Sequence, residues 1–420
     1  IDGSPVQSRV MVGDDGETFG GVWIEAPDEA PQVVERAPMA VSLVVDTSGS
    51  MSGEKIRNAR MAASSLLENL HDGDVVSIYG FSDHVHEIAA PTSLSPGTRG
   101  SLIRRIQGLR AGGGTNMHGG LSTGIARMQH APRSHEVRRV VLISDGHANI
   151  GPSDPPSLGS LAANGTEWGA QITSIGVGLD YDEQTLGALA LNSSGRLYHL
   201  EAPHQMAQIL EEELHLLAQT VATDAYIEVV PAPGVRILEG TTMGSEVENG
   251  RLRVNLGSVH AGQRREVLFR AKVDTDRPGG RQLARARLVY KTQNEGERQV
   301  QQRPLRYEVT RDRSEASGSV QPRVQAMVSN YNASQAQLRA AEALNQGNRA
   351  QADADLEEAE RELDRATSYD FGDDAVQGQL EKRRDRVRQI RGRAGSAASP
   401  SDARGAALEA NDAAFEAQGY

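Results

Sequence analysis

Two short apolar runs constrain this chain more than anything else in it. One covers residues 41–45 and ends in Asp46; the other covers residues 140–143 and ends in Ser144 and Asp145. A short apolar run closed by a turn reads as a strand buried on both faces, the habit of a parallel sheet. Open α/β sheets bring ligands to the carboxyl ends of such strands. After the first run, oxygen-bearing side chains fall at alternate positions: Asp46, Ser48 and Ser50. Alternate residues of an extended loop can aim at one point. A carboxylate and two hydroxyls aimed together make a hard-oxygen cation site with too few ligands to be complete. Two other loops offer the rest. Gly112, Gly113 and Gly114 lead into Thr115 and Asn116 before a helical stretch, and the second run delivers Asp145.

The set Asp-x-Ser-x-Ser, then Thr, then Asp resembles the metal-ion-dependent adhesion site of the von Willebrand factor A family. Asp46, Ser48, Ser50, Thr115 and Asp145 fall on its five positions, and the resemblance covers roughly residues 38–220. It implies a Mg²⁺ site, with Ca²⁺ or Mn²⁺ as substitutes, and a protein ligand whose Asp or Glu completes the metal's shell. Other readings of the same residues exist. One reading has Ser48 or Ser50 cap the helix that follows. A phosphate loop fails, because the stretch from Gly49 to Lys55 lacks the fourth spacer and the hydroxyl after the lysine. A phosphorylated Asp46 would want a second carboxylate where Ser48 stands. A nucleophile elbow fails because Met51 takes the serine's place between Gly49 and Gly53.

From residue 36 to about 222 the pattern alternates strand and helix. Ile56, Ala59, Ala63, Leu66, Leu67 and Leu70 recur at helical spacing after the first strand. Strands over 75–79 and 85–89, split by a short turn, should be antiparallel at one edge. Helices are expected around 102–109, 117–128, 183–191 and 204–217, and further strands over 139–143, 172–177 and 197–200. The fold class is therefore α/β, a doubly wound, mostly parallel, Rossmann-like sheet. Residues 1–37 read as two strands and residues 222–311 as six more, with turns such as that from Pro231 to Gly234 between them. About eight strands suffice for a β-sandwich, into which residues 38–221 are inserted. That order of parts is similar to bacterial proteins grouped with inter-α-inhibitor heavy chains and calcium-activated chloride channel homologues. Residues 312–395 read as an α-helical hairpin over 324–345 and 349–366, with a third helix over 374–391 whose basic face is solvated. Residues 396–420 are Ala/Ser/Gly-rich and read as either a short docked helix or a tail.

Totals exclude several classes. A net charge of −12 over 420 residues argues against nucleic acid and against an anionic membrane surface. The absence of cysteine rules out thiolate ligation. No apolar run approaches the length of a transmembrane helix. The chain starts at Ile1 without a charged and apolar leader, which suits a processed extracytoplasmic protein (periplasmic, secreted or at the cell surface) or a trimmed chain. His118 and His147 stand near the mouth of the site, where they would tune it near neutrality; Asp180 and Asp182 read as helix caps.

Mg²⁺ takes about six oxygens at roughly 2.0–2.1 Å, so five protein groups leave a position open. Two aspartates balance the divalent charge formally. A further carboxylate at about 4 Å gains about 4 kcal/mol at an effective dielectric of about 20, before desolvation. The expected function is metal-dependent protein binding, for adhesion or assembly, and not catalysis. A metal-assisted hydrolase, with His118 or His147 as its base, and a scaffold with a degenerate site are the alternatives. Residues 38–220 made alone should fold, whereas residues 222–310 without 1–37 should not. A soluble 222–310 fragment that melts cooperatively would overturn the insertion.

Overall fold

The computed structural model describes residues 1–28, 38–135, 137–178, 180–200, 219–242, 244–292 and 298–417. The chain divides into two compact units. One comprises Asp28–Asp224 with Gly257–Ala261, and the other Ile1–Pro27, Ala225–Leu256 and Gly262–Tyr420.

The first unit is built on a six-stranded sheet. Strand β4 (Met39–Asp46) lies at its centre, flanked by β5 (Val75–Phe81) and β7 (Val137–Ser144) in parallel. Strands β8 (Ala170–Val177) and β9 (Leu197–Leu200) extend it in parallel, and β6 (Val85–Ser93) closes the other edge antiparallel, as its short turn predicts. All eight residues of β4 are buried. Val41, Leu43 and Val45 share a core with helices α1 (Glu54–Asn69) and α2 (Pro96–Gln107). The opposite face takes α3 (Met117–Gln129), where a Cβ on Gly124 would lie 2.7 Å from Val44 and one on Gly120 2.7 Å from Phe81. Those two glycines let α3 sit hard against the strands that carry the site. The sheet is doubly wound, as the alternation of elements implied. Helix α4 (Pro155–Gly165) was not foreseen: its prolines and glycines hide it, although Asp154 caps it and Pro155 opens it. Helix α5 (Glu183–Asn192) matches expectation; the helix expected over 204–217 lies outside the described residues.

The second unit holds two packed sheets and a set of helices. One sheet has the order β1 (Asp2–Pro5), β3 (Glu17–Glu25), β14 (Arg264–Lys272), β11 (Arg236–Gly240). The other runs β12 (Ser245–Glu248), β13 (Arg251–His260), β10 (Thr220–Pro231), β15 (Gly279–Thr292), β16 (Arg298–Thr310), β2 (Arg9–Met11). The sequence led to about eight strands, with two before residue 38. The described residues hold ten, because the amino-terminal stretch changes sheets: β1 pairs with β3, and β2 pairs with β16 in parallel. The short, mostly exposed β12 carried no apolar signal to find it by.

Beyond α6 (Arg313–Ser317), four helices follow: α7 (Pro322–Asn345), α8 (Arg349–Thr367), α9 (Asp374–Ser396) and α10 (Pro400–Glu416). The expected hairpin is thus half of a larger array. Of the two readings of the Ala/Ser/Gly-rich stretch, the docked helix is the one observed: α10 is started by Ser399 and Asp402 in a reciprocal cap with Pro400 at its first turn. Its Ala406, Ala407, Ala410 and Ala413 recur at helical spacing and are buried among the other helices; alanine composition had disguised a packing face as low complexity. The basic run of α9 keeps its expected exposure to solvent, and it is ion-paired there. Arg388 pairs with Glu360 at 2.5 Å and Arg391 with Asp353 at 2.7 Å, both across to α8. No helix among the described residues is long and apolar enough to cross a membrane.

Gly21 and Arg323 seat these helices on the sandwich. Gly20 pairs with Phe269 across the ladder, while Gly21 pairs with Leu268 on the opposite face of the sheet. A Cβ on Gly21 would lie 2.9 Å from Val324 and 3.1 Å from its other methyl, so the missing side chain is the space that α7 fills. Arg323 stacks over Trp23 at 4.6 Å and reaches Glu25, Glu266 and Asp373 at 3.0, 3.3 and 3.4 Å. Arg323→Ala should lower stability by roughly 2–3 kcal/mol in denaturant unfolding, less than for a fully buried pair because the cluster is partly wet. An unchanged unfolding midpoint would remove Arg323 from that role.

Candidate metal centre

The register of β4 on its neighbours assembles the site. Val45 stands opposite Ile143, so Asp46 and Ser144 come level at the next step. The Ser144 hydroxyl donates to Asp46 Oδ2 at 2.6 Å, and the Ser48 amide donates to Oδ1 at 2.8 Å. Asp46 is wholly buried. Burial pushes its carboxyl up to about 6, against the pull of those hydrogen bonds and with a further push from the charge of Asp145. Asp145 is equally buried, one residue past β7.

Ser48 and Ser50 place their hydroxyls 3.0 Å apart. Neither caps α1, whose N-cap is Gly53 at φ 77°; a short 3₁₀ turn over Gly49–Met51 intervenes, pinned by buried Met51. The capping alternative therefore fails. The glycine loop is tied across to this turn, Gly49 N–H to the Gly113 carbonyl at 2.9 Å and Gly112 N–H to the Thr47 carbonyl at 2.8 Å. Thr115, which it carries, is buried. The three loops that the sequence singled out thus meet at one end of the sheet.

Several participants were not foreseen. Lys55 extends its ammonium to Asp145 Oδ2 at 3.0 Å and to Asp180 at 2.9 Å. Burial works against its charge, but the two carboxylates outweigh that and hold its pKa above the ordinary value. Asp182 caps α5 as expected, whereas Asp180 serves Lys55 instead. A lysine in the first turn of α1 was the only signal available, and it read as the polar start of a helix. His147 sets Nε2 at 2.5 Å from the Asp180 carbonyl oxygen, and His118 Nδ1 lies 3.5 Å from the Ser122 hydroxyl.

The donor set suits a hard divalent cation. Ligands at about 2.0–2.1 Å in an octahedron stand roughly 2.9 Å from one another, close to the separation of the two serine hydroxyls. Two carboxylates buried within reach of each other's charge also call for a cation between them, and Lys55 answers for only one oxygen of Asp145. A carboxyl whose folded pKa is raised is stabilising when protonated, so its contribution is present at acid pH and lost as pH rises through about 6. In chelator, Asp46→Asn should therefore melt above the wild type at pH 7 and at about the same temperature near pH 4. The gap should be up to about 3 kcal/mol. Parallel melting curves at both pH values would contradict the strained carboxylate.

Comparison with known proteins agrees with the geometry. Residues 41–212 match the von Willebrand factor type A domain. An uncharacterized protein of Synechocystis, sll0103, is 25% identical over 64% of this chain and 66% of its own length. Rat inter-alpha-trypsin inhibitor heavy chain H3 is 28% identical over 46% of this chain, which spans 23% of it. The chain thus spans just under two thirds of the first relative and under a quarter of the second. A solved von Willebrand factor type A structure from Catenulispora acidiphila superposes with a TM-score of 0.73 at 17% identity, covering 98% of this chain and 95% of that one. Similarity at that identity speaks for the fold alone. By sequence match and fold together, the inserted α/β portion of this chain is a von Willebrand factor type A domain.

Proposed function

We propose that this protein is a non-catalytic, metal-dependent binding module that captures an acidic side chain of a partner protein. The observation that carries this reading is the convergence of Asp46, Ser48, Ser50, Thr115 and Asp145 at one end of the sheet, with Asp46 buried and under strain from its own charge. Mg²⁺, or Ca²⁺ or Mn²⁺ in its place, would supply positive charge for which a foreign carboxylate competes with water. The chain's own groups hold that place ready. Ser144 and the Ser48 amide fix the plane of the Asp46 carboxylate, Lys55 fixes one oxygen of Asp145, and the glycine loop presents Thr115. Specificity for one partner falls to the surrounding loops, which include Asp83, His84, His118 and His147.

A hydrolase built on the same site would need a free base. The two candidates are poorly disposed for it. Among the described residues neither ring hydrogen-bonds to any of the five candidate ligands: His147 gives its Nε2 proton to the Asp180 carbonyl oxygen, and His118 Nδ1 faces a serine of its own helix. Binding is favoured over catalysis on that ground.

Millimolar Mg²⁺ should raise the melting temperature of the full chain relative to chelator, by about 2.7 kcal/mol of stability at a hundredfold excess over Kd. Asp46→Ala should abolish that rise. Thr115→Ala should weaken capture of a carboxylate-bearing peptide more than it weakens Mn²⁺ affinity. Identical wild-type melts in metal and in chelator would sink the metal site; peptide capture undiminished by EDTA would move the interface elsewhere.

A further inference from the structure

The Thr115 loop is bracketed from two sides by side chains that the motif does not include. Two consecutive amides each donate to a side-chain oxygen from a different loop: Gly114 N–H to Asp83 Oδ1 at 2.9 Å, and Thr115 N–H to Asn149 Oδ1 at 2.8 Å. Asn149 also returns the bond, its own amide donating to the Thr115 carbonyl at 3.1 Å, with the Ile150 amide joining at 3.2 Å. Three hydrogen bonds thus tie Thr115 to the loop that leaves Asp145. The fit is close, since a Cβ on Gly114 would lie 2.6 Å from Ile150 and 3.0 Å from Asn149 Oδ1. Thr115 is buried while Asn149 is exposed, so an exposed side chain fixes where a buried hydroxyl stands.

We infer that Asn149 is a positioning residue for the candidate metal centre: by holding both backbone polar groups of Thr115, it sets the distance between the Thr115 hydroxyl and the Asp145 carboxylate. The inference rests on the metal-site reading above. Its physical basis is general. A ligand oxygen misplaced by a fraction of an ångström weakens a site, and loss of an outer partner typically costs 10–100-fold in metal affinity. Asp83 acts on the neighbouring amide in the same way, from the turn between β5 and β6. The sequence marked both loops only as surroundings of the site; this role was not legible, because each residue acts through a backbone amide rather than through the ion.

The test uses the full chain, with Mn²⁺ alone as the probe and affinity read by calorimetry. Asn149→Ala should weaken Mn²⁺ binding by about tenfold. Asn149→Asp keeps an acceptor oxygen in place and should bind at least as tightly as the wild type. If the effect passes through Thr115, then adding Asn149→Ala to Thr115→Ala should change affinity no further, beyond the roughly twofold scatter of independent sites. Independently of metal, Asn149→Ala should speed hydrogen exchange at the Thr115 amide. Equal Mn²⁺ affinity in wild type and Asn149→Ala overturns the inference, as does full additivity in the double variant. A wild type that binds no Mn²⁺ overturns the metal-site reading itself and the inference with it, an outcome distinguishable because no variant then has an affinity to lose.

Discussion

The in-register pairing of β4 with β5 and β7 is the constraint on which the candidate site depends. It sets Asp46 beside Phe81 on one side and level with Ser144 on the other. The next residue, Thr47, then uses both its amide and its hydroxyl on the Phe81 carbonyl, at 2.8 and 2.9 Å. A slip of one residue would turn Asp46 to the other face and part it from Ser144. Such slips are strongly disfavoured here, because β4 is buried along its whole length and each parity has its own helical cover. Packing that looks merely structural therefore fixes the chemistry at the strand ends.

That arrangement costs stability at the site itself. Two buried carboxylates face each other's charge, and Asp46 receives only neutral donors, from Ser48 and Ser144. A folded protein tolerates such a local penalty where the surrounding core over-determines the geometry, and such penalties concentrate at sites of function. Lys55 tempers the penalty without removing it. It neutralises the outer side of Asp145, and Asp180 in turn is held below the ordinary carboxylate range, the hydrogen bond and charge of Lys55 outweighing the cost of burial. The glycine loop needs its glycines for a related reason. Gly113, at φ 83°, takes a left-handed backbone that keeps the chain clear of Asp83 while its carbonyl reaches Gly49.

The second unit follows the same logic with different means. Its four-stranded sheet is covered on the face opposite the sandwich by α7, and the close approach depends on Gly21 having no side chain. Arg323 then gathers three carboxylates around one guanidinium, a geometry that a planar fork of donors suits. The helices that follow pack through alanines, whose small size brings the backbones close and leaves ion pairs such as Arg391 with Asp353 to line the rim.

Much of the fold was legible because its signals are local and periodic. The apolar runs of β4 and β7, the helical spacing from Ile56 to Leu70 and the β5–β6 turn each specify an element by themselves. The five candidate oxygen donors could be named for a similar reason: strand ends, fixed spacing and resemblance agreed on them, and the structure brings their three loops to one end of the sheet. Helix α4 was not, and α10 stayed undecided between helix and tail, since proline, glycine and alanine give weak periodicity and only caps and neighbours make these stretches helices. Nor did the sequence indicate that residues 6–8 carry the chain from one sheet to the other. What tertiary structure alone decided is which groups surround these candidate ligands. Ser144 meets Asp46 across 98 positions, Lys55 meets Asp145 across 90, and Asn149 meets Thr115 across 34. Spacing along a chain encodes what one element presents. Contacts between elements arise only when a shared core sets their register, and no local pattern records them.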